Sequence, residues 1–252
     1  MMTTALDLKF ALDPATWALA LGFESDPWQA GVLRSGAGRV LLNCSRQSGK
    51  STTTALLALH TALYRPGTLA LLLSPSLRQS GELFRKVVSF YRRLAEPVPA
   101  EAESALRLEL ANHSRIVSLP GKEETVRGYS GVDLLVVDEA ARVADSLYYA
   151  VRPMLAVSGG RLVALSTPFG KRGFFFDCWA SGGDDWQRVK VTARDCPRIE
   201  PAFLEQERRA MPDTWYRSEY LCEFVDQAGA VFSYDVIHAA LSADIEPLFG
   251  AL

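Results

Sequence analysis

The chain has 252 residues, with 27 Lys and Arg against 29 Asp and Glu, giving a formal charge of -2. A content of 48% hydrophobic and 22% charged residues excludes a disordered or fibrous protein and fits one large α/β domain, or one domain with a small appendage. The near-neutral balance excludes a uniformly basic nucleic-acid coat. No apolar run approaches the roughly 20 residues of a membrane span, and the opening MMTTALDLKFALDP lacks the pattern of a secretion signal, so an intracellular protein is expected.

In chain order, Arg39–Cys44, Thr68–Ser74, Leu134–Asp138 and Arg161–Ser166 are short apolar runs. They read as strands buried on both faces of a parallel sheet. Helices are predicted between them at Lys50–Tyr64, Gln79–Leu94 and Asp145–Leu155. In Gln79–Leu94 an apolar face of Leu83, Val87, Val88, Tyr91 and Leu94 is flanked by Arg85, Lys86, Arg92 and Arg93. The alternation of strand and helix predicts right-handed crossovers. Leu106, Leu108 and Leu110, a turn at Asn112-His113-Ser114 and then Arg115–Leu119 predict an antiparallel hairpin or edge pair. From Thr192 on, prolines punctuate polar helical stretches at Ala202–Met211 and Thr214–Phe224, which reads as a smaller, mainly helical subdomain. The four cysteines (Cys44, Cys178, Cys196, Cys222) and three histidines (His60, His113, His238) are scattered, so neither zinc nor thiol chemistry is expected.

The chemistry is concentrated in three places. Ser45-Arg46-Gln47-Ser48-Gly49-Lys50-Ser51-Thr52 lies between a predicted strand and a predicted helix, where inward-pointing amides hold phosphate as a P-loop. Lys50 would neutralise β- and γ-phosphate oxygens, and the Ser51 hydroxyl would ligate Mg2+. Leu134–Val137 ends in Asp138 and Glu139, at the strand edge where open α/β sheets bind ligands. Asp138 would hold Mg2+ through water and Glu139 would polarise the attacking water. The strand Arg161–Ser166 ends in Ser166-Thr167-Pro168. If it lies between the other two, its hydroxyls can sense the terminal phosphate and pass that state to Phe169–Phe174; an ST-turn closed by proline is the alternative.

These motifs, with Pro27-Trp28-Gln29, Val126-Arg127-Gly128 and the closing Glu219–Phe224 (EYLCEF), resemble the N-terminal ATPase domain of the viral DNA-packaging terminase large subunit. The resemblance spans about Asp26 to Phe232, and the Arg-Gln pair inside the P-loop is its most discriminating feature. It implies a P-loop NTPase of the ASCE type: a mostly parallel sheet flanked by helices over residues 1–191, with a small helical lid or linker subdomain over 192–252. It implies ATP and Mg2+, with Gln29 reading the adenine edge, Arg46 approaching the γ-phosphate and Arg127 offered to a neighbouring subunit's ATP. Ser166 and Thr167 match the coupling motif. The implied partners are double-stranded DNA, the portal protein of a procapsid, the small terminase subunit and further copies in a ring, expected to be a pentamer, with a monomer in isolation. The implied location is the host cytoplasm, at the portal.

Two departures accompany the match. Cys44 stands where the first P-loop glycine is usual, and the RNase H-like nuclease that such proteins normally carry is not expected within this chain. Asp235, Asp244 and Glu246 read as surface residues rather than nuclease ligands. The pairs Arg85-Lys86, Arg92-Arg93, Lys171-Arg172 and Arg208-Arg209 read as solubilising or as non-specific phosphate contacts. Two other functions stay open on the residues alone. Asp138-Glu139-Ala140-Ala141 resembles a helicase box, although no second P-loop-like sheet fits after Ala193. A non-hydrolysing nucleotide-binding assembly factor is the other, and the presence of both Lys50 and Glu139 argues against it.

Overall fold

Strands that alternate their side chains across a sheet and are apolar at every position need cover on both faces. The computed structural model, which describes residues 4–95, 97–121, 126, 128–226 and 234–240, satisfies that demand with one sheet between two layers. Among the described residues the strands are β1 (Arg39–Cys44), β2 (Leu69–Ser74), β3 (Ala100–Glu103), β4 (Arg107–Leu110), β5 (Arg115–Pro120), β6 (Leu134–Asp138), β7 (Arg161–Ser166) and β8 (Gln187–Val191). Their spatial order is β3-β4-β5-β2-β6-β7-β1-β8. The six strands from β5 to β8 in that order are mutually parallel, and β3 and β4 add an antiparallel edge.

Alternate residues of the same strands enter two cores. Leu42, Leu72, Val136 and Val163 face one layer with Trp17, Leu56 and Phe84. Leu41, Leu71, Leu135 and Ala164 face the other with Tyr148, Phe174 and Phe175. Helices α1 (Thr4–Leu12), α2 (Pro14–Ala20), α3 (Pro27–Arg34), α4 (Lys50–Tyr64) and α5 (Leu77–Tyr91) precede β3 in the chain. Later come α6 (Asp145–Val151), α7 (Gly173–Ser181), α8 (Pro201–Ala210), α9 (Asp213–Glu219) and α10 (Tyr234–Ala240).

The structure moves some predicted boundaries. Helix α5 starts at Leu77 because the Ser76 hydroxyl accepts the Gln79 N–H at 3.3 Å, and it stops at Tyr91, before Leu94. The helix from Asp145 loses α geometry at Arg152–Leu155, where Pro153 supplies no N–H. The stretch Thr214–Phe224 is helical only to Glu219. Cys222 then takes a φ of 55°, its carbonyl accepts the Asn43 side-chain amide at 3.0 Å, and Phe224 is carried onto Phe175, Phe176 and Trp179. The predicted hairpin is present, but Arg115–Pro120 also pairs parallel to β2, so it is the hinge between the parallel and antiparallel parts.

The N-terminal helices form a bracket beneath the P-loop. Asp13 caps α2 by accepting the N–H groups of Ala15 and Thr16 at 3.0 and 3.2 Å. It also accepts two bonds from Arg34 on α3, each 2.9 Å. These bonds, the Arg34 pair first, hold the Asp13 carboxyl well below the usual carboxylate range. A depressed native pKa means that the stabilisation is complete above the unfolded value near 4 and is lost as the pH falls through the native value. Asp13→Ala is expected to cost about 1 kcal/mol at neutral pH. In urea titrations across pH, the gap to the native chain should close on acidification; a gap that stays constant down to strongly acid pH would contradict the assignment.

Candidate nucleotide-binding site

Strand β7 lies between β1 and β6, so three motifs meet at one carboxyl edge. β1 delivers the loop Ser45–Gly49, β6 delivers Asp138 and Glu139, and β7 delivers Ser166 and Thr167. The loop turns back into α4 through left-handed backbone at Gln47 and Gly49, with φ of 61° and 89°; glycine adopts it at no steric cost, whereas Gln47 bears the strain of its Cβ. A Cβ on Gly49 would lie 2.7 Å from Gln29 Nε2, so a larger residue there would also displace the end of the Gln29 side chain. Ser45 and Ser48 are buried, and the Ser48 hydroxyl closes the turn on the Ser45 carbonyl at 2.9 Å.

Lys50 is the first residue of α4 and only 7% exposed. Its ammonium donates to Thr167 Oγ1 at 3.2 Å and approaches the Ser45 carbonyl at 3.5 Å. It pairs with Glu139 Oε1 at 3.8 Å. Thr167 in turn donates its hydroxyl to the Cys44 carbonyl at 3.2 Å. Next along α4, Ser51 Oγ lies 3.4 and 3.5 Å from the two Asp138 carboxylate oxygens. Burial, then the neighbouring Glu139 charge, push the Asp138 carboxyl up to about 6, against the pull of Lys50. Hard oxygen donors so placed, one hydroxyl and one carboxylate, suit Mg2+. Burial also pushes the Cys44 thiol up, so it is a packed neutral group and not a nucleophile.

Other sequence candidates take positions of their own. Gln29 is buried within a capping arrangement: its Oε1 accepts the Asp26 N–H at 2.8 Å and its Nε2 donates to the Ser48 carbonyl at 3.3 Å. It therefore braces the loop from below. Arg46 is paired with Glu219 on α9, its Nε 2.5 Å from the carboxylate. Gln47 is exposed at the crest of the loop, and Thr52 Oγ1 accepts a 3.4 Å bond from Lys86 of α5. Ser166 is buried and turns its hydroxyl onto the Thr167 carbonyl at 2.7 Å, so Thr167 alone of that pair touches the lysine. Arg127, Asp244, Glu246 and the side chain of Asp235 lie outside the described residues.

The cleft above the loop has a volume of about 1070 Å³ and includes Lys86, Arg198, Ile199, Phe203 and Tyr220 in its lining. Sequence reasoning did not place these at the site. Arg198 clamps Asp26 with bonds of 2.9 and 2.6 Å, fastening the segment after β8 to the start of α3. The two residues are 172 positions apart, so no local pattern announces the pair. Phe203 is 47% exposed and stands edge-on to Tyr220 at 6.3 Å, leaving an aromatic face open to the cleft. Arg142 and Glu219 were also missed as a pair; the signal available was the helical spacing of Arg142 from Glu139 and the place of Glu219 at the head of EYLCEF.

Residues 41–238 match the family model described as terminase large subunit, T4likevirus-type, N-terminal. The terminase large subunit of Thermus virus P23-45 is 29% identical over 249 residues, covering 84% of this chain and 51% of that protein. That of Escherichia phage T5 is 27% identical over 198 residues, covering 75% and 44%. The chain thus spans about half the length of the curated relatives it matches. Among solved structures, the large terminase ATPase domain of Thermus phage P74-26 matches with a TM-score of 0.75 and 26% identity, over 83% of this chain and 98% of that one. The large terminase of a thermophilic bacteriophage, solved in complex with ADP, has a TM-score of 0.64 at 13% identity, over 79% and 53%; that likeness speaks for the fold alone. A family match across residues 41–238 decides the affiliation: the chain belongs to the terminase large subunits, in their N-terminal domain.

Proposed function

We propose that this chain binds and hydrolyses ATP with Mg2+, and that in an assembled ring it drives double-stranded DNA into a viral procapsid. One observation carries the reading: Lys50, Glu139 and Thr167, from three strand tips, converge on one point beside the Ser51–Asp138 pair. Phosphoryl transfer asks the protein for positioning and charge more than for covalent chemistry, and this arrangement supplies both. The loop amides and Lys50 would hold the β- and γ-phosphates. Ser51 and Asp138 would hold Mg2+, which when bound withdraws charge from the phosphate oxygens. Glu139 would accept the proton of the attacking water. One of its two partners, at Oε1, is the same ammonium the phosphates require, so nucleotide binding would draw Lys50 away from that oxygen.

The remaining parts take the following roles in this reading. Gln29 is the proposed reader of the adenine edge, a role in which its buried amide would turn from the Ser48 carbonyl toward the base, and Phe203 with Ile199 offers the base an apolar face. Arg46 exchanges Glu219 for the γ-phosphate, and Arg127 serves the ATP of a neighbouring subunit. Residues 1–191 act as the core and 192–252 as a lid or linker, with Ser166 and Thr167 coupling the two states to DNA. The portal, the small terminase subunit and further copies of this chain, in a ring expected to be a pentamer, are the proposed partners, at the procapsid in the host cytoplasm. A chain with a net charge of -2 should bind DNA weakly alone, and a ring would multiply such contacts.

Glu139→Gln should lower ATP turnover by about a hundredfold or more while ATP still binds. Turnover equal to the native chain's would rule Glu139 out as the base. In assembled protein, Arg127→Ala should leave ATP affinity nearly unchanged and remove a stimulation of roughly a thousandfold or more; stimulation that persists would remove the finger role. Both are read by steady-state phosphate release against protein concentration.

A further inference from the structure

Glu139 does not leave β6 in an ordinary way. It has a φ of 50° and a ψ of 42°, and the chain then coils through Ala140–Arg142, with the Arg142 N–H donating to the Glu139 carbonyl at 2.8 Å. This tight return brings the Arg142 side chain over the acid that begins it. Arg142 Nη1 donates to Glu139 Oε2 at 3.1 Å, while Lys50 faces the other oxygen, Oε1, at 3.8 Å. The carboxylate is therefore gripped at both ends by different cations.

The two grips are not equivalent. The Lys50 ammonium sits in the P-loop and is the group a triphosphate would take. Arg142 lies outside the loop, and its other contacts hold it where it is. Its Nη2 is 3.8 Å from Glu219 Oε1 on α9, and its guanidinium lies over the Phe169 ring at 4.7 Å. Phe169 follows Thr167 by two residues, and Thr167 touches Lys50. Arg142 thus joins the acid, α9 and the loop after β7, and its side chain is 27% exposed, half-sheltered from screening.

We propose that Arg142 is a positioning residue for hydrolysis: it keeps Glu139 Oε2 engaged, so that Oε1 is the oxygen aimed at water once Lys50 has turned to phosphate. In the step it serves, the water's proton passes to Oε1, the water oxygen bonds to the terminal phosphorus, and the phosphorus–oxygen bond to ADP breaks. The proposal rests on the ATP-hydrolysis reading. It adds that the state of α9, through Glu219, sets how firmly the acid is aimed. A charged planar donor suits this double engagement of two carboxylates and a ring face.

The test measures ATP turnover, binding of the fluorescent analogue mant-ATP and thermal midpoint for the native chain, Arg142→Ala, Arg142→Lys and Glu139→Gln. Misaiming a reacting group can cost about ten- to a hundredfold. Arg142→Ala should therefore lose at least about tenfold in kcat, with KM and mant-ATP affinity within about threefold of native. Arg142→Lys should recover part of the loss, because an ammonium still reaches toward Oε2. Native kcat in Arg142→Ala would overturn the proposal, and so would a loss confined to KM and mant-ATP affinity, which would make Arg142 a nucleotide ligand. Equal losses in both Arg142 variants together with a lowered midpoint would make it merely structural. A native chain that binds mant-ATP yet turns over no faster than Glu139→Gln would overturn the hydrolysis reading itself, and the native control separates that failure from the others.

Discussion

A lysine ammonium held out of water is expensive unless its surroundings replace what water gave. Lys50 is in that position, and the carboxyl edge of the sheet is arranged around it. The Ser45 carbonyl, the Thr167 hydroxyl and the Glu139 carboxylate meet its donors, each delivered by a different strand tip. That convergence needs β7 between β1 and β6, and it needs the strands in register: Asn43 opposite Ser166 and Asp138 opposite Leu165. A slip by one residue would turn every inward side chain outward. The two apolar cores thus fix the polar site, because they specify the register.

The segment after β8 is fastened to this edge at several separate points. Arg198 holds Asp26, Glu219 holds Arg46, Ser218 donates to the Pro168 carbonyl at 3.1 Å, and Asn43 donates to the Cys222 carbonyl. Two of these contacts reach the P-loop or the helix start that braces it, and one reaches the loop after Thr167. Arg46 of the loop is thus in direct contact with α9. The acid, the loop arginine and α9 already share charges through Arg46, Glu219, Arg142 and Glu139.

Much of this was legible in the sequence where one local force decided the outcome. β1, β6 and β7 run as read because they are apolar at successive positions between polar ends, and α4 starts where Gly49 permits the turn. β8 was missed: in Gln187–Val191 only Val191 is buried, and Arg188 and Lys190 obscured an alternation that can be seen once sought. The Asp13 bracket and helices α1 to α3 also went unread, since helices of seven to nine residues depend on packing for stability more than on propensity. The site was legible as motifs and illegible as pairings. Nothing in the spacing says that Arg46 turns to Glu219, that Gln29 spends its amide on Ser48, or that Arg198 closes on Asp26. Those are long-range choices made by topology and by the need to satisfy buried polar groups.

On the proposed function, Lys50 is buried in order to receive a triphosphate with Mg2+. Calorimetric titration of a non-hydrolysable ATP analogue with Mg2+ into the native chain and into Lys50→Ala tests it most directly. Binding to the native chain with one site, weakened by at least about a hundredfold (about 2.7 kcal/mol) in Lys50→Ala, is the result expected. Equal affinity in both chains would mean that the nucleotide, if held at all, is held elsewhere.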